Sequence, residues 1–300
     1  GIEAAISRDK LAQIIYPAQS ETDWDPSAQG GRGLIIFSHG YGGTNTQSTV
    51  LMETLASHGF IVIAPEHTGN TAMGEQDPHE VAAANRVPDI SFLIDTMLAR
   101  NADPEDSLYK RINPYQIGVV GHSFGGTTAL GSVVGFGGAT GDPRVKAIVP
   151  TSAVVESYFS TELLNSINIP VMLIGGTLDS AVPVENNAYA YDSIPGPSPV
   201  YRVDIIGAKH THFANVCAIG NWLIGIGLAL EQWEGLGAAA LIGPYLDTCG
   251  PDELPVAEVM RLQNLYTVAF FKRHLYYQFG YWQYLAPSYS AINEPNVIYS

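Results

Sequence analysis

The strongest chemical signal in the sequence is Gly121-His122-Ser123-Phe124-Gly125, which follows the apolar run 117–120 and opens a Gly/Ala-rich segment of helical character. This is G-x-S-x-G in a strand–turn–helix setting, where a serine on a tight turn has its hydroxyl lifted above the edge of a sheet. Side chains two residues either side of such a serine would collide, so both positions need Gly, and Gly126 lets the following helix approach the sheet. The chemistry implied is attack by the Ser123 hydroxyl on a carbonyl, with the Phe124 backbone N–H aimed at the developing oxyanion. The bland alternative is a Gly-rich turn with no chemistry. Gly135, Gly137 and Gly138 invite a dinucleotide-site reading, but they follow a helix, and no G-x-G-x-x-G follows any strand.

A nucleophile on such a turn needs a rigid sheet beneath it. Short β-branched runs at 33–37, 60–64, 116–120, 146–149, 171–174 and 200–206 are mostly apolar throughout, as strands covered on both faces of a parallel sheet are. Between them lie helical candidates at 47–57, which stops at Gly59, at 89–100, whose Ile90, Leu93, Ile94, Met97 and Leu98 share one face, and at 124–134; a long helix at 255–275 closes the series. The alternation predicts an α/β fold with a mostly parallel, doubly wound sheet. No repeat, low-complexity tract or linker divides it, so one domain over 1–300 is expected, with the Gly-rich apolar piece 214–250 inserted before the last helix.

Composition removes several classes of function. Hydrophobic residues make up 46% and charged residues 14% of the 300, against a usual charged share of about 25%, which excludes disorder. The formal charge of −15, with no Lys/Arg run, disfavours nucleic acids and anionic membranes and leaves neutral lipid or polymer surfaces open. The longest apolar stretch, 218–230, is interrupted by Gly220, Asn221, Gly225 and Gly227 and falls short of the roughly 18–20 residues that span a bilayer.

The chain resembles the α/β-hydrolases, and within them the dienelactone-hydrolase-like esterases that include secreted platelet-activating-factor acetylhydrolases and bacterial polyester hydrolases. The likeness is carried by Phe37-Ser38-His39-Gly40-Tyr41-Gly42-Gly43, Ser57-His58-Gly59-Phe60-Ile61-Val62, Pro65-Glu66-His67, Arg86 with Asp89-Ile90-Ser91-Phe92 and Asp95, and Gly121 to Gly126. The resemblance implies a carboxylate and then a histidine after the nucleophile in chain order. Asp179, in Gly175-Gly176-Thr177-Leu178-Asp179 beyond the fifth run, resembles the acid loop of polyester hydrolases. Acetylhydrolases carry their acid one strand earlier, where Ile148-Val149-Pro150-Thr151-Ser152 has no carboxylate; Glu156 is the nearest substitute.

For the base, Gly207-Ala208-Lys209-His210-Thr211-His212-Phe213 offers two histidines; the family's Gly-Ala-x-His arrangement selects His210, and a His-Phe-Ala reading selects His212 as the alternative. The Gly-rich loop after the first strand resembles the one that supplies a second oxyanion donor, by position the N–H of Tyr41. A rival makes His210 and His212 a zinc pair with Asp179 or His67, but metal hydrolases place that pair early and have no use for a serine elbow. His39, His58 and His122 read as scaffold histidines, and Arg86 near Asp89 as a helix-end ion pair.

Cys217 and Cys249 flank the inserted piece and are the only cysteines. One disulfide of an exported protein and two cytosolic thiols both fit; with little Lys and an opening at Gly1 rather than Met, a secreted or periplasmic chain trimmed of its signal is the expectation. Segment 214–250, with Trp222 and Trp233, reads either as a lid or cap with exposed apolar surface or as a packed helical hairpin. The expected activity is cofactor- and metal-free serine hydrolysis of hydrophobic esters, short-to-medium acyl, polyester or lipid. Peptidase or amidase action on the same residues, and an inactive binding protein, are the alternatives.

Overall fold

The computed structural model describes residues 31–300 apart from 73, 75, 195 and 197; the trimmed start inferred at Gly1 lies outside these residues. Among the described residues, seven strands form one sheet in the order β2-β1-β3-β4-β5-β6-β7: β1 Arg32–Ser38, β2 Ile61–Ile63, β3 Ile112–His122, β4 Val145–Thr151, β5 Val171–Gly176, β6 Val200–Ile205 and β7 Val297–Tyr299. The first six are parallel, and β7 runs antiparallel along β6.

The apolar strands divide their side chains between two cores. Leu34 and Ile36 of β1, Val119, Ile148 and Leu173 enter one, while Ile35, Phe37, Val120, Val149, Met172 and Ile174 enter the other. The first core is closed by α2 His79–Ala102, α3 Phe124–Val134, α4 Thr161–Leu164 and α5 Glu185–Ser193; the second by α1 Thr49–Ser57 and α8 Val256–His274. The central strands β1, β3, β4 and β5 thus bury side chains on both faces, which is why their inner stretches read as apolar runs.

Two boundaries depart from expectation. Helix α2 begins ten residues before the expected start, at His79, and carries Pro88 inside it; the proline removes one N–H donor but does not end the helix, because Ala82, Ala83, Val87 and Ile90 hold both sides of it against the core. Strand β7 has no counterpart in the expected series, since its three residues are a minimal edge ribbon.

Segment 214–250 folds as α6 Val216–Gly225 and α7 Ala239–Thr248 with two short 3₁₀ turns between them. Trp233 is not at the surface: it is fully buried at the centre of a small cluster with Leu223 and Ala238, which Ile219, Trp222 and Tyr245 partly cover. A Cys217–Cys249 disulfide joins the ends, with Cα atoms 5.5 Å apart. It closes a loop with a sequence separation of 32, so its removal in a Cys217→Ser/Cys249→Ser variant is expected to cost about 3–4 kcal/mol. Urea unfolding of that variant beside wild type measures this, and coincident midpoints would show that the crosslink constrains nothing in the unfolded chain. Among the described residues no helix is long and apolar enough to cross a membrane.

Candidate active site

The strand order reverses direction at β1, whose neighbours are β2 and β3, and the crevice at the C-terminal ends of β1 and β3 is where open α/β sheets place ligands. Ser123 lies at that point, between β3 and α3, with φ 59° and ψ −124°, a conformation a non-glycine residue holds only when its surroundings enforce it. The enforcement is visible. A Cβ on Gly121 would lie 2.2 Å from the Gly125 carbonyl oxygen, and one on Gly125 would lie 1.9 Å from the Ser38 oxygen, so the elbow closes only with hydrogen at both positions. The Ser123 N–H donates to the Thr151 carbonyl at 2.9 Å, which fixes the turn to β4.

Three residues expected to act together meet here. His210 Nε2 lies 3.0 Å from Ser123 Oγ, and His210 Nδ1 lies 2.7 Å from Asp179 Oδ2. The other Asp179 oxygen accepts the N–H groups of Ala181 (3.0 Å) and Val182 (2.7 Å). Burial of this carboxyl opposes its ionisation, but the His210 hydrogen bond and charge, with the Val182 N–H, outweigh it and hold the group below the usual carboxylate range. The loops carrying acid and base are stitched together: the Leu178 N–H donates to the Ala208 carbonyl at 2.9 Å, and the Gly207 N–H to Thr177 Oγ1 at 2.9 Å.

The remaining candidates fall elsewhere. His212 is wholly buried beneath the loop, its Nδ1 accepting the Lys209 N–H and its Nε2–H donating to the Leu254 carbonyl, each at 3.0 Å. With both ring nitrogens of His210 and of His212 engaged in this way, neither ring offers a nitrogen to a shared ion. His67 bonds Ser38 and Asp89 instead. Glu156 is exposed, with its N–H turned to the Asn186 side chain. Gly135, Gly137 and Gly138 belong to the turn after α3 and help line an open groove of about 580 Å³ with Phe136, Tyr158 and Leu163. The Tyr41 ring stacks on His79 at 3.9 Å and meets the edge of Phe124, whose own ring contacts Phe136 and Tyr158, so aromatic rings run from the elbow to this groove.

Arg86 corrects an expectation. It lies inside α2, wholly buried, and reaches the loop after β1, while Asp89 pairs with His67 rather than with Arg86. Helix α2 continues through this region, so there is no helix end there for an ion pair to cap.

Gln47 escaped sequence reasoning, and it works through His122, which has the scaffold role expected of it. Gln47 accepts the Gly40 N–H at 2.9 Å and donates to His122 Nδ1 at 2.6 Å; His122 Nε2–H then donates to the His210 carbonyl at 2.9 Å. This chain ties the loop after β1, the elbow and the His210 backbone into one frame. It requires a neutral His122, and burial, reinforced by the nearby His210, lowers the His122 pKa to about 3.

Burial likewise lowers His39 to about 3, with Arg86 adding to the effect, and His67 and His274 to about 4. These imidazoles titrate near 6.5 when unfolded, so protons bind preferentially to the unfolded chain as pH falls. Their contribution is complete well above pH 6.5 and declines below it, by about 1 kcal/mol per group between pH 6.5 and 5.5. A urea midpoint several-tenths molar or more lower at pH 5.5 than at 7.5 is expected; equal midpoints would contradict neutral burial.

A parallel sheet with helices on both faces and a strained serine elbow at its switch point defines an α/β-hydrolase fold. The chain belongs to the PET hydrolase-like family, whose profile matches residues 13–225. It is similar to cutinase est1 of Thermobifida alba, 30% identical over 202 residues that cover 67% of this chain and 57% of that protein. It is also similar to cutinase 2 of Thermobifida cellulosilytica, 29% identical over 67% of this chain and 64% of the relative. Chlorophyllase-1, chloroplastic, of Citrus sinensis is 30% identical over 50% of this chain and 44% of its own. The chain thus spans little more than half the length of the curated relatives it matches.

Proposed function

We propose that this protein is a serine carboxylic-ester hydrolase acting through an acyl-enzyme. The reading rests above all on Ser123 Oγ at 3.0 Å from a His210 ring whose far nitrogen is held by Asp179. Ser123 attacks the ester carbonyl as its proton passes to His210 Nε2, and Asp179 orients the imidazole and stabilises its charged form. The Phe124 and Tyr41 N–H groups receive the oxyanion. His210 returns the proton to the leaving alcohol, then takes one from water as it attacks the acyl-enzyme, and gives it back to Ser123 Oγ as the acid leaves. None of these steps calls for a metal or cofactor.

The substrates proposed are hydrophobic esters, including aliphatic polyesters. The names of the relatives point to polyesters, and the groove beside Phe124, lined by Phe136, Tyr158 and Leu163, would receive an apolar chain. With a charge of −15, a neutral polymer or lipid surface is the fitting partner and nucleic acid is not. The disulfide supports an oxidising, extracytoplasmic compartment.

The test pairs initial rates on p-nitrophenyl esters from acetate to palmitate with labelling by diethyl p-nitrophenyl phosphate. Turnover, together with one equivalent of label on the peptide containing Ser123, is expected. Failure of both ester turnover and labelling would remove the proposal.

A further inference from the structure

The densest polar cluster outside the Ser123 constellation surrounds Arg86. Its Nη1 donates to the His39 carbonyl at 2.5 Å and to Ser38 Oγ at 3.2 Å; its Nη2 donates to the Gly40 carbonyl at 3.1 Å and to Asn70 Oδ1. The guanidinium carbon lies 5.1 Å from the centre of the Phe124 ring. Ser38 Oγ is 3.0 Å from His67 Nε2, and His67 Nδ1 is 2.6 Å from Asp89 Oδ2. Arginine has no lone pair to offer, so Ser38 must accept from it and donate its own hydrogen to His67, which in turn donates to Asp89. The direction of each bond from Arg86 through Ser38 and His67 to Asp89 is thereby fixed. Ser38, His67 and Asp89 repeat the residue types of a catalytic set, but Ser38 is wholly buried and already accepts from Arg86, so no substrate reaches it.

What this cluster grips is the loop beside the nucleophile. Three donors converge on the Gly40 carbonyl: Arg86 Nη2, His39 Nδ1 at 2.7 Å and the Gly43 N–H at 3.1 Å. That carbonyl shares its peptide unit with the N–H of Tyr41, and in a trans peptide the two point in opposite directions. Pulling the oxygen inward onto Arg86 therefore turns the Tyr41 N–H outward. Gly40 itself packs against Ser123: a Cβ there would lie 3.3 Å from the serine Cβ. Donors on the carbonyl also polarise the peptide and strengthen its N–H as a donor.

We infer that Arg86, anchored through Ser38, His67 and Asp89, is a positioning residue that holds the Gly40–Tyr41 peptide with its N–H toward the oxyanion. The inference rests on the serine-hydrolase reading above. Arginine suits the task because its planar fork bonds two successive carbonyls at once, which a lysine ammonium does not reproduce.

Arg86→Met and Arg86→Lys, with wild type and Ser123→Ala alongside, test it through kcat, KM and the inhibition constant of an alkyl trifluoromethyl ketone, whose adduct with the serine carries an oxyanion. For folded Arg86→Met, kcat should fall about 10²-fold with KM within about threefold, and ketone affinity should weaken in step with kcat. Arg86→Lys, which keeps a cation and most of the volume, should show the same pattern at about tenfold and carries the test if the Met variant does not fold. A folded variant that keeps wild-type kcat, or loses kcat while binding the ketone as tightly as wild type, overturns the role of Arg86 and leaves the hydrolase reading standing. Absence of Ser123-dependent turnover in wild type overturns both.

Discussion

Replacing His210 by Gln is expected to lower kcat/KM for a p-nitrophenyl ester by about 10⁴- to 10⁶-fold, whereas His212→Gln should stay within about tenfold of wild type. Two imidazoles separated by one residue differ this much because they lie on a 3₁₀ turn, His210–Phe213, with three residues per turn. His210 faces Ser123, its side chain about one-fifth exposed, and His212 faces the interior. Glutamine at 210 keeps a hydrogen bond toward Asp179 but cannot take the serine proton. At 212 the substitution leaves the Lys209 N–H or the Leu254 carbonyl without its partner, so the cost appears as about 1–3 kcal/mol of stability. Kinetics and urea unfolding on both variants separate the outcomes; a dead His212→Gln beside an active His210→Gln would exchange the roles.

The second large effect is expected at Gly125. An alanine methyl there would stand 1.9 Å from the Ser38 oxygen, with the Ser38 carbon and the His39 oxygen also inside 3 Å. These are backbone atoms at the end of β1, and Gly125 is itself in the first turn of α3, so neither side can yield without moving the elbow. Gly125→Ala should cost about 3 kcal/mol or more, and any folded fraction should have lost its alignment of Ser123 with His210. Gly243→Ala is the matched control. It lies within α7, where a Cβ would meet nothing within 4 Å, so a gain of about 0.5–1 kcal/mol is expected from helix propensity alone. Thermal unfolding of the pair reads both signs, and a Gly125→Ala protein as stable as wild type would mean that the elbow is not sterically closed.

Much of this fold was open to reading because sterics and burial act on residues close in sequence. Strands covered on both faces are mostly apolar, so six of the seven strands among the described residues announce themselves. The elbow's glycines follow from the space between one strand end and one helix start. Strand β7 had no such signature: Val297–Tyr299 pairs with one strand, β6, among the described residues, and its middle residue Ile298 is half exposed. In α2, the apolar face marked only 89–100; the helix also runs through Pro88 toward His79, because packing on both sides outweighs the proline's local preference.

The site divides along the same line. Ser123 could be found from its own neighbours. The Gln47–His122 and Arg86–Gly40 bonds join residues 75 and 46 positions apart, and polar pairs at such separations leave no periodicity to detect. The choice between His210 and His212 came from likeness to relatives rather than from the residues themselves, since only the direction of each ring in space distinguishes them.

The small cluster around Trp233 draws its members from 219–245, so its contacts are short in sequence and separate from both cores of the sheet. Such a unit can open without disturbing the strands, at a free energy below that of global unfolding. In amide hydrogen exchange, the α6 and α7 protons should therefore exchange together as one sub-global unit while those of β3 and β4 remain protected. The Cys217–Cys249 crosslink would limit how far that opening travels rather than how often it occurs.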